Sequence, residues 1–284
     1  MAEVLKGVSV ANALTEALTE RAAALKERNI TPTLAILRVG QRPDDIAYET
    51  GAMKRCAKVG IDVRRYLLQP DCTREELLDT IREINADPSI HGCLMFRPLP
   101  DKAMEEAACA LLAPEKDVDC MTTGSLAAVF TGKGIGYPPC TAEGCIELLD
   151  HYGIALQGKR VAVIGRSLVI GKPVSMMLQS RNATVTMCHT KTVNLPEICR
   201  NAEILVVAAG RAGVVDGSFA APGQIVVDVG INVNEEGKLC GDVNFEAVEP
   251  IVEAITPVPG GVGSVTTAVL AKHVIEAAEK IAES

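Results

Sequence analysis

The sequence predicts an α/β protein of two domains, each built on a mostly parallel sheet. Short apolar strands alternate with helix-period segments through most of the chain. The alternation breaks between residues 120 and 140, in a stretch of Gly and Thr that ends in Pro138-Pro139. The 284 residues suffice for two ordinary domains, and 48% of them are hydrophobic, enough to fill both interiors. With no Trp, four Phe and four Tyr, those interiors must be aliphatic.

Taken in order, residues 8–28 carry Val10, Leu14, Leu18, Ala22 and Leu25 at helical spacing. Thr33–Val39 is β-rich and ends at Gly40. A helix across 45–58 follows, then strand-like Ile61–Leu68, a charged helix over about 73–85, and a short strand His91–Phe96 closed by Arg97-Pro98-Leu99-Pro100. A helix at about 142–153 carries the domain boundary. Beyond it the strands are Arg160–Ile164, Ala183–Cys188, Ile204–Ala208 and Gln224–Val229, and a last helix covers 265–282. The first, third and fourth of these strands are continuous apolar runs, as strands buried on both faces require.

A net charge of −8 argues against a nucleic-acid or anionic-membrane surface, while leaving room for a local basic pocket. Ten Cys occur without a CxxC pair or a Cys/His cluster of zinc spacing, so no metal site is expected. The N-terminal residues lack the apolar core of a secretory signal, and no apolar run reaches membrane-spanning length. These features predict a cytoplasmic protein with reduced thiols.

Strand Val161–Ile164 runs into Gly165-Arg166-Ser167 and then Gly171-Lys172-Pro173, before a helix over Val174–Gln179. A glycine turn between strand and helix lets backbone N–H groups approach a phosphate, and the helix dipole favours the anion. The glycines stand six apart and G-x-G-x-x-G is absent, so a tight turn without ligand is the alternative. The next strand ends Cys188-His189-Thr190-Lys191-Thr192, with no acid to hold a ribose 2′-hydroxyl. That favours NADP over NAD, and Arg166 can fork onto phosphate oxygens.

Several segments together resemble the methylenetetrahydrofolate dehydrogenase/cyclohydrolase family. They are Pro98-Leu99-Pro100, Lys116-Asp117-Val118-Asp119, Pro139–Gly144, the Gly165-Arg166-Ser167 and Gly171-Lys172-Pro173 turn, Ala183–Thr186, Asp228–Asn232, Gly241-Asp242-Val243 and Thr256–Gly263. The resemblance implies an N-terminal folate-binding domain over 1–145 and a C-terminal Rossmann domain over 146–264. A terminal helix, 265–284, packs back on the first, and the substrate lies between the domains. It also implies a homodimer joined through the Rossmann domains, and oxidation of 5,10-methylenetetrahydrofolate by NAD(P)+ to the 5,10-methenyl cation. Most members then hydrolyse that cation in the same site. Carried over by position, Tyr48 and Asp119 are the catalytic residues, and Tyr48, Pro98, Leu99, Asp119, Pro259, Gly260 and Gly261 bind substrate. Thr141, Gly165, Arg166, Ser167, Gly171, Lys172, Pro173, His189, Thr190 and Ile231 bind the cofactor.

The chain departs from the family pattern at the folate site. Ala52 stands where a Tyr-x-x-x-Lys helix has its Lys, on the same face as Tyr48. Phe96 stands in a Gln slot, Asp45 in a Ser slot, Cys120 in a Gly slot, and Ser264-Val265 replaces Pro-Met. Lys54 lies about 200° round the helix from Ala52 and is no substitute. Hydride transfer needs chiefly positioning, whereas hydrolysis needs water activation and proton movement. The expectation is therefore a dehydrogenase whose cyclohydrolase step is weak or absent. The alternatives are a bifunctional enzyme with another water-activating group, a non-catalytic folate- or nucleotide-binding protein, and a different Rossmann dehydrogenase.

Overall fold

The computed structural model describes residues 1–234 and 236–283. They form two compact units, Met1–Asn12 with Thr141–Thr266, and Ala13–Cys140 with the residues from Thr267 on. The chain begins in unit one with β1 (Glu3–Val4) and enters unit two along α1 (Gly7–Glu27). It returns along α6 (Cys140–His151) and leaves again along α10 (Thr266–Glu283). Ser284, the last residue of the expected final helix, lies outside the described residues.

Unit two carries a parallel three-stranded sheet of order β3-β2-β4, with β2 (Thr33–Val39) central between β3 (Asp62–Leu68) and β4 (Gly92–Met95). All of β2 is buried, which explains its unbroken apolar reading. Ala35, Leu37 and Val39 face a core completed by Leu77, Ile81 and Ile84 of α3 (Arg74–Ala86) and Ala108 of α4 (Lys102–Leu111). A full capping box starts α3: Thr73 Oγ1 accepts the Glu76 N–H, and Glu76 accepts the Thr73 N–H at 2.7 Å. The helix α2 (Pro43–Val59) opens with Pro at its first position and stops at Gly60, whose φ of 93° is left-handed. The helices α4 and α5 (Thr123–Thr131) were absent from the sequence expectation. Each starts on a side-chain cap, Asp101 and Thr122.

Unit one carries a six-stranded sheet of order β1-β11-β8-β7-β5-β6, parallel throughout. Its centre is β5 (Arg160–Ile164), β7 (Ile204–Val207) and β8 (Ile225–Asp228), with β6 (Thr184–Cys188) at one edge and β11 (Ala254–Ile255) toward the other. The helices α7 (Gly171–Ser180), α8 (Leu195–Arg200) and α9 (Phe245–Val248) connect the strands, and β9 (Asn232–Val233) pairs antiparallel with β10 (Leu239–Cys240).

This division differs from the expected 1–145 (with 265–284) and 146–264 in its first twelve residues, in 141–145 and in 265–266, all of which fall in unit one. Glu3 and Val4 pair with Ala254 and Ile255, and the Leu5 N–H donates to Ile255 O at 2.9 Å. Two-residue strands are too short to show a period, so neither β1 nor β11 was legible in the sequence. Among the described residues no helix is long and apolar enough to cross a membrane, and no group of three or more His, Cys, Asp or Glu could hold a metal ion.

Candidate active site

In unit one the β5–α7 turn is closed by glycine. Gly165 has φ +133°, and a Cβ there would stand 2.2 Å from Ala208 O. A Cβ on Gly171 would stand 2.3 Å from Gly165 O, so the two glycines pack against each other. Ser167 ties the turn together ahead of the helix: its Oγ accepts the Ile170 N–H at 3.1 Å. Arg166, Ser167 and Lys172 are exposed and Pro173 is buried. At the end of β6, the His189 N–H donates to Thr192 Oγ1, and His189 Nδ1 accepts the Lys191 N–H at 3.1 Å. Thr190 and Lys191 are exposed, and no carboxylate stands at the strand end. A tight glycine turn at a helix N-terminus, with basic side chains around it and no acid, fits a dinucleotide bearing a 2′-phosphate.

The same unit shapes a cavity of about 240 Å³ lined by Ile231, Pro257, Pro259, Gly260 and Gly261, with Asp228 and Gly230 at its wall. The loop is pinned by close backbone approach. The Gly7 N–H donates to Gly260 O at 2.8 Å, and a Cβ on Gly261 would meet Pro257 O at 2.5 Å.

Two carboxylates unmarked as functional in the sequence organise this end of the sheet. Asp242, fully buried, accepts N–H groups from Ala209, Gly210 and Arg211 at 2.6–2.9 Å, and Asn232 Nδ2 at 2.8 Å. Asp228 accepts the N–H groups of Gly230, Asp242 and Val243. A Cβ on Gly241 would strike Asp228 Oδ2 at 1.8 Å, so glycine there makes room for the carboxylate. Burial pushes the Asp228 carboxyl up to about 6, with the Asp242 charge adding to the rise against the three N–H donors.

In unit two, α2 presents Asp45, Glu49, Ala52, Cys56 and Val59 as its buried face. Tyr48 is half-buried beside them and meets the Phe96 ring edge-on, centroids 5.9 Å apart at 79°. Ala52 is completely buried and Lys54 is exposed. Glu49 bridges two arginines, accepting Arg38 Nε at 2.8 Å and Arg65 Nε at 2.6 Å. Arg38 also donates to Gly40 O. An arginine inside the otherwise apolar run of β2 was the sequence signal for this triad.

The residues of KDVD divide by role. Lys116 sends its ammonium to the carbonyls of Ile84, Asn85 and Asp87, closing the C-terminus of α3. Asp117 is fully buried and accepts the N–H groups of Met121 and Thr122. Asp119 keeps part of its surface open, and its Oδ1 accepts the Cys140 N–H at 3.0 Å. Burial raises the Asp119 carboxyl, opposed by its bond from Cys140 and by the nearby His273 and Arg97 charges. Cys120 takes φ 57°, the left-handed conformation that suits the Gly implied there. Leu99 is buried, Pro98 is exposed, and the Leu99 N–H donates to Glu105 Oε2 at 2.8 Å. Thr141, first residue of unit one on α6, is half-buried and accepts the Cys145 thiol through its carbonyl at 3.4 Å.

Two family models match the chain. One describes the catalytic domain of tetrahydrofolate dehydrogenase/cyclohydrolase over residues 5–119, the other its NAD(P)-binding domain over 139–282. The bifunctional protein FolD of Carboxydothermus hydrogenoformans is 52% identical over 281 residues, 98% of each chain. The crystal structure of the bifunctional FolD methylenetetrahydrofolate dehydrogenase/cyclohydrolase from Campylobacter jejuni superposes with TM-score 0.94 at 37% identity, covering 99% of each chain. The Trypanosoma brucei FolD structure, complexed with NADP cofactor and inhibitor, gives TM-score 0.92 at 33% identity over 100% of this chain and 99% of that one.

Proposed function

Because the chain belongs to the tetrahydrofolate dehydrogenase/cyclohydrolase family, we propose that it oxidises 5,10-methylenetetrahydrofolate with NADP+ and hydrolyses the resulting 5,10-methenyl cation to 10-formyltetrahydrofolate. The observation that carries the oxidative step is the Gly165–Gly171 turn, whose backbone no side chain could approach so closely. The bifunctional relatives support keeping the hydrolytic step, against the dehydrogenase-only expectation.

The β5–α7 turn with Arg166, Lys172 and Thr190 would hold the dinucleotide, which when bound takes the hydride from the methylene carbon. Tyr48 stacks on or bonds to the pterin, and Asp119 accepts from its ring nitrogens. Phe96 fixes the Tyr48 ring from the edge. Their task is orientation, worth several kcal/mol without any titrating group.

One observation favours a second reading, in which hydrolysis is reduced. Position 52 offers a methyl group, completely buried, where the resemblance implies an amine. One assay separates the two: supply methylenetetrahydrofolate and NADP+ and follow the methenyl absorbance. Decay of the signal faster than in buffer supports the bifunctional enzyme. Accumulation with decay only at the buffer rate supports the reduced one.

The assembly we propose is a homodimer through unit one. The exposed Ile231, Val233 and Leu239 beside the β9–β10 ribbon support it. Ten free cysteines, most of them buried, support a reducing cytoplasmic setting.

A further inference from the structure

We infer that Asp45 is the water-activating base of the hydrolytic step, in place of the amine missing at position 52. The inference rests on the bifunctional reading above. It starts from an unusual carboxylate. Asp45 is only 7% exposed, and among the described residues its carboxylate makes no hydrogen bond and one long ion pair, 3.9 Å to Arg42 Nε. Among the described residues no fully buried side-chain oxygen lacks a hydrogen bond, so the unbonded Asp45 oxygens reach solvent, where a water can stand against them.

Its place on the helix suits the task. Residues 45, 48, 49 and 52 share one face of α2, so Asp45 stands one turn before Tyr48. Ala52 lies two turns on, roughly 10 Å along the axis. Side chains on a helix lean toward its N-terminus. A lysine at 52 would therefore lay its amine over the turn of Tyr48, toward the level that Asp45 occupies. Arg42 ties the same corner together, because its guanidinium also donates to Pro98 O at 3.2 Å, two residues past the Phe96 ring that meets Tyr48.

The other candidates are committed elsewhere. Glu49 is held by two arginines, Glu105 accepts the Leu99 N–H, Asp119 accepts the Cys140 N–H and is assigned above to the pterin, and Lys54 is exposed beyond the helix's buried face.

A carboxylate also matches the charge of the substrate, an amidinium cation that a fixed anion attracts. The water oxygen bonds to the central carbon of the cation while Asp45 takes one water proton. The remaining hydroxyl proton passes to solvent as the C=O forms. The C–N5 bond breaks, N5 keeps the electron pair, and Asp45 returns its proton to N5. The cation and one water become neutral 10-formyltetrahydrofolate and one released proton, with no oxidant or reductant required.

The test uses the full chain with 5,10-methenyltetrahydrofolate alone for hydrolysis, and methylenetetrahydrofolate with NADP+ for hydride transfer. For Asp45→Asn the ratio of hydrolysis to hydride transfer should fall about 10²–10⁴-fold, the usual worth of a general base. Asp45→Glu should recover part of that ratio. Asp45→Asn hydrolysing as fast as wild type overturns the assignment and leaves the bifunctional reading standing. Equal loss of both activities overturns it too, since that is a structural role. A wild-type protein that never exceeds the buffer rate overturns both.

Discussion

Glu49 shows how a single buried charge is held. Its partner Arg38 has a side chain only 6% exposed, so neither can be removed without stranding the other. Breaking a buried pair typically costs about 3–5 kcal/mol. Arg65, on the exposed edge of the triad, adds little by comparison. Glu49→Gln should therefore lower the stability of the chain by roughly 3 kcal/mol, read as a fall in the urea midpoint at unchanged slope. Arg65→Met should move it by less than about 1 kcal/mol. Equal effects from the two substitutions would contradict the burial argument.

Helix ends and turns position the two sites. The Lys116 ammonium closes α3 through three carbonyls, and burial lowers its pKa. Lys116→Met keeps the apolar stem but leaves those carbonyls without a donor. A loss of roughly 2–3 kcal/mol should follow, measured by denaturant titration. The β5–α7 turn is less forgiving, because the obstruction is backbone. Gly171→Ala puts a methyl against Gly165 O and should weaken NADP+ binding at least tenfold by calorimetric titration. NADP+ affinity equal to wild type would remove that turn from the cofactor site.

Across the molecule, pH and assembly give broader readouts. Asp228 has a folded pKa of about 6 against an ordinary 3.8, raised chiefly by burial. The native state therefore binds this proton more tightly than the unfolded chain does. Its contribution is fully present below about 3.8 and is lost as pH rises through about 6. Asp228→Asn should flatten the stability–pH curve in that window, by up to about 3 kcal/mol, in urea titrations run from pH 4 to 7. For assembly, Val233→Lys should convert a dimer to a monomer in light scattering. A wild-type chain already monomeric at micromolar concentration would sink the proposed dimer.

The order of strands and helices could be read from the chain because each is written in neighbouring residues: apolar runs for β2, β5, β7 and β8, helical spacing for α1, α2 and α10, and glycine at the β5–α7 turn. The family motifs were legible in the same way. Partnerships between distant residues were not. Lys116 and Asp117 hold backbone carbonyls and N–H groups, Asp228 and Asp242 hold each other's loops, and β1 joins a strand 251 residues away. Tyr48 and Phe96 were named separately, and only folding brings their rings together. The physical reason is one of range. Periodicity and caps act within a turn or two. A buried carboxylate such as Asp45 gains its meaning from whatever surrounds it in three dimensions.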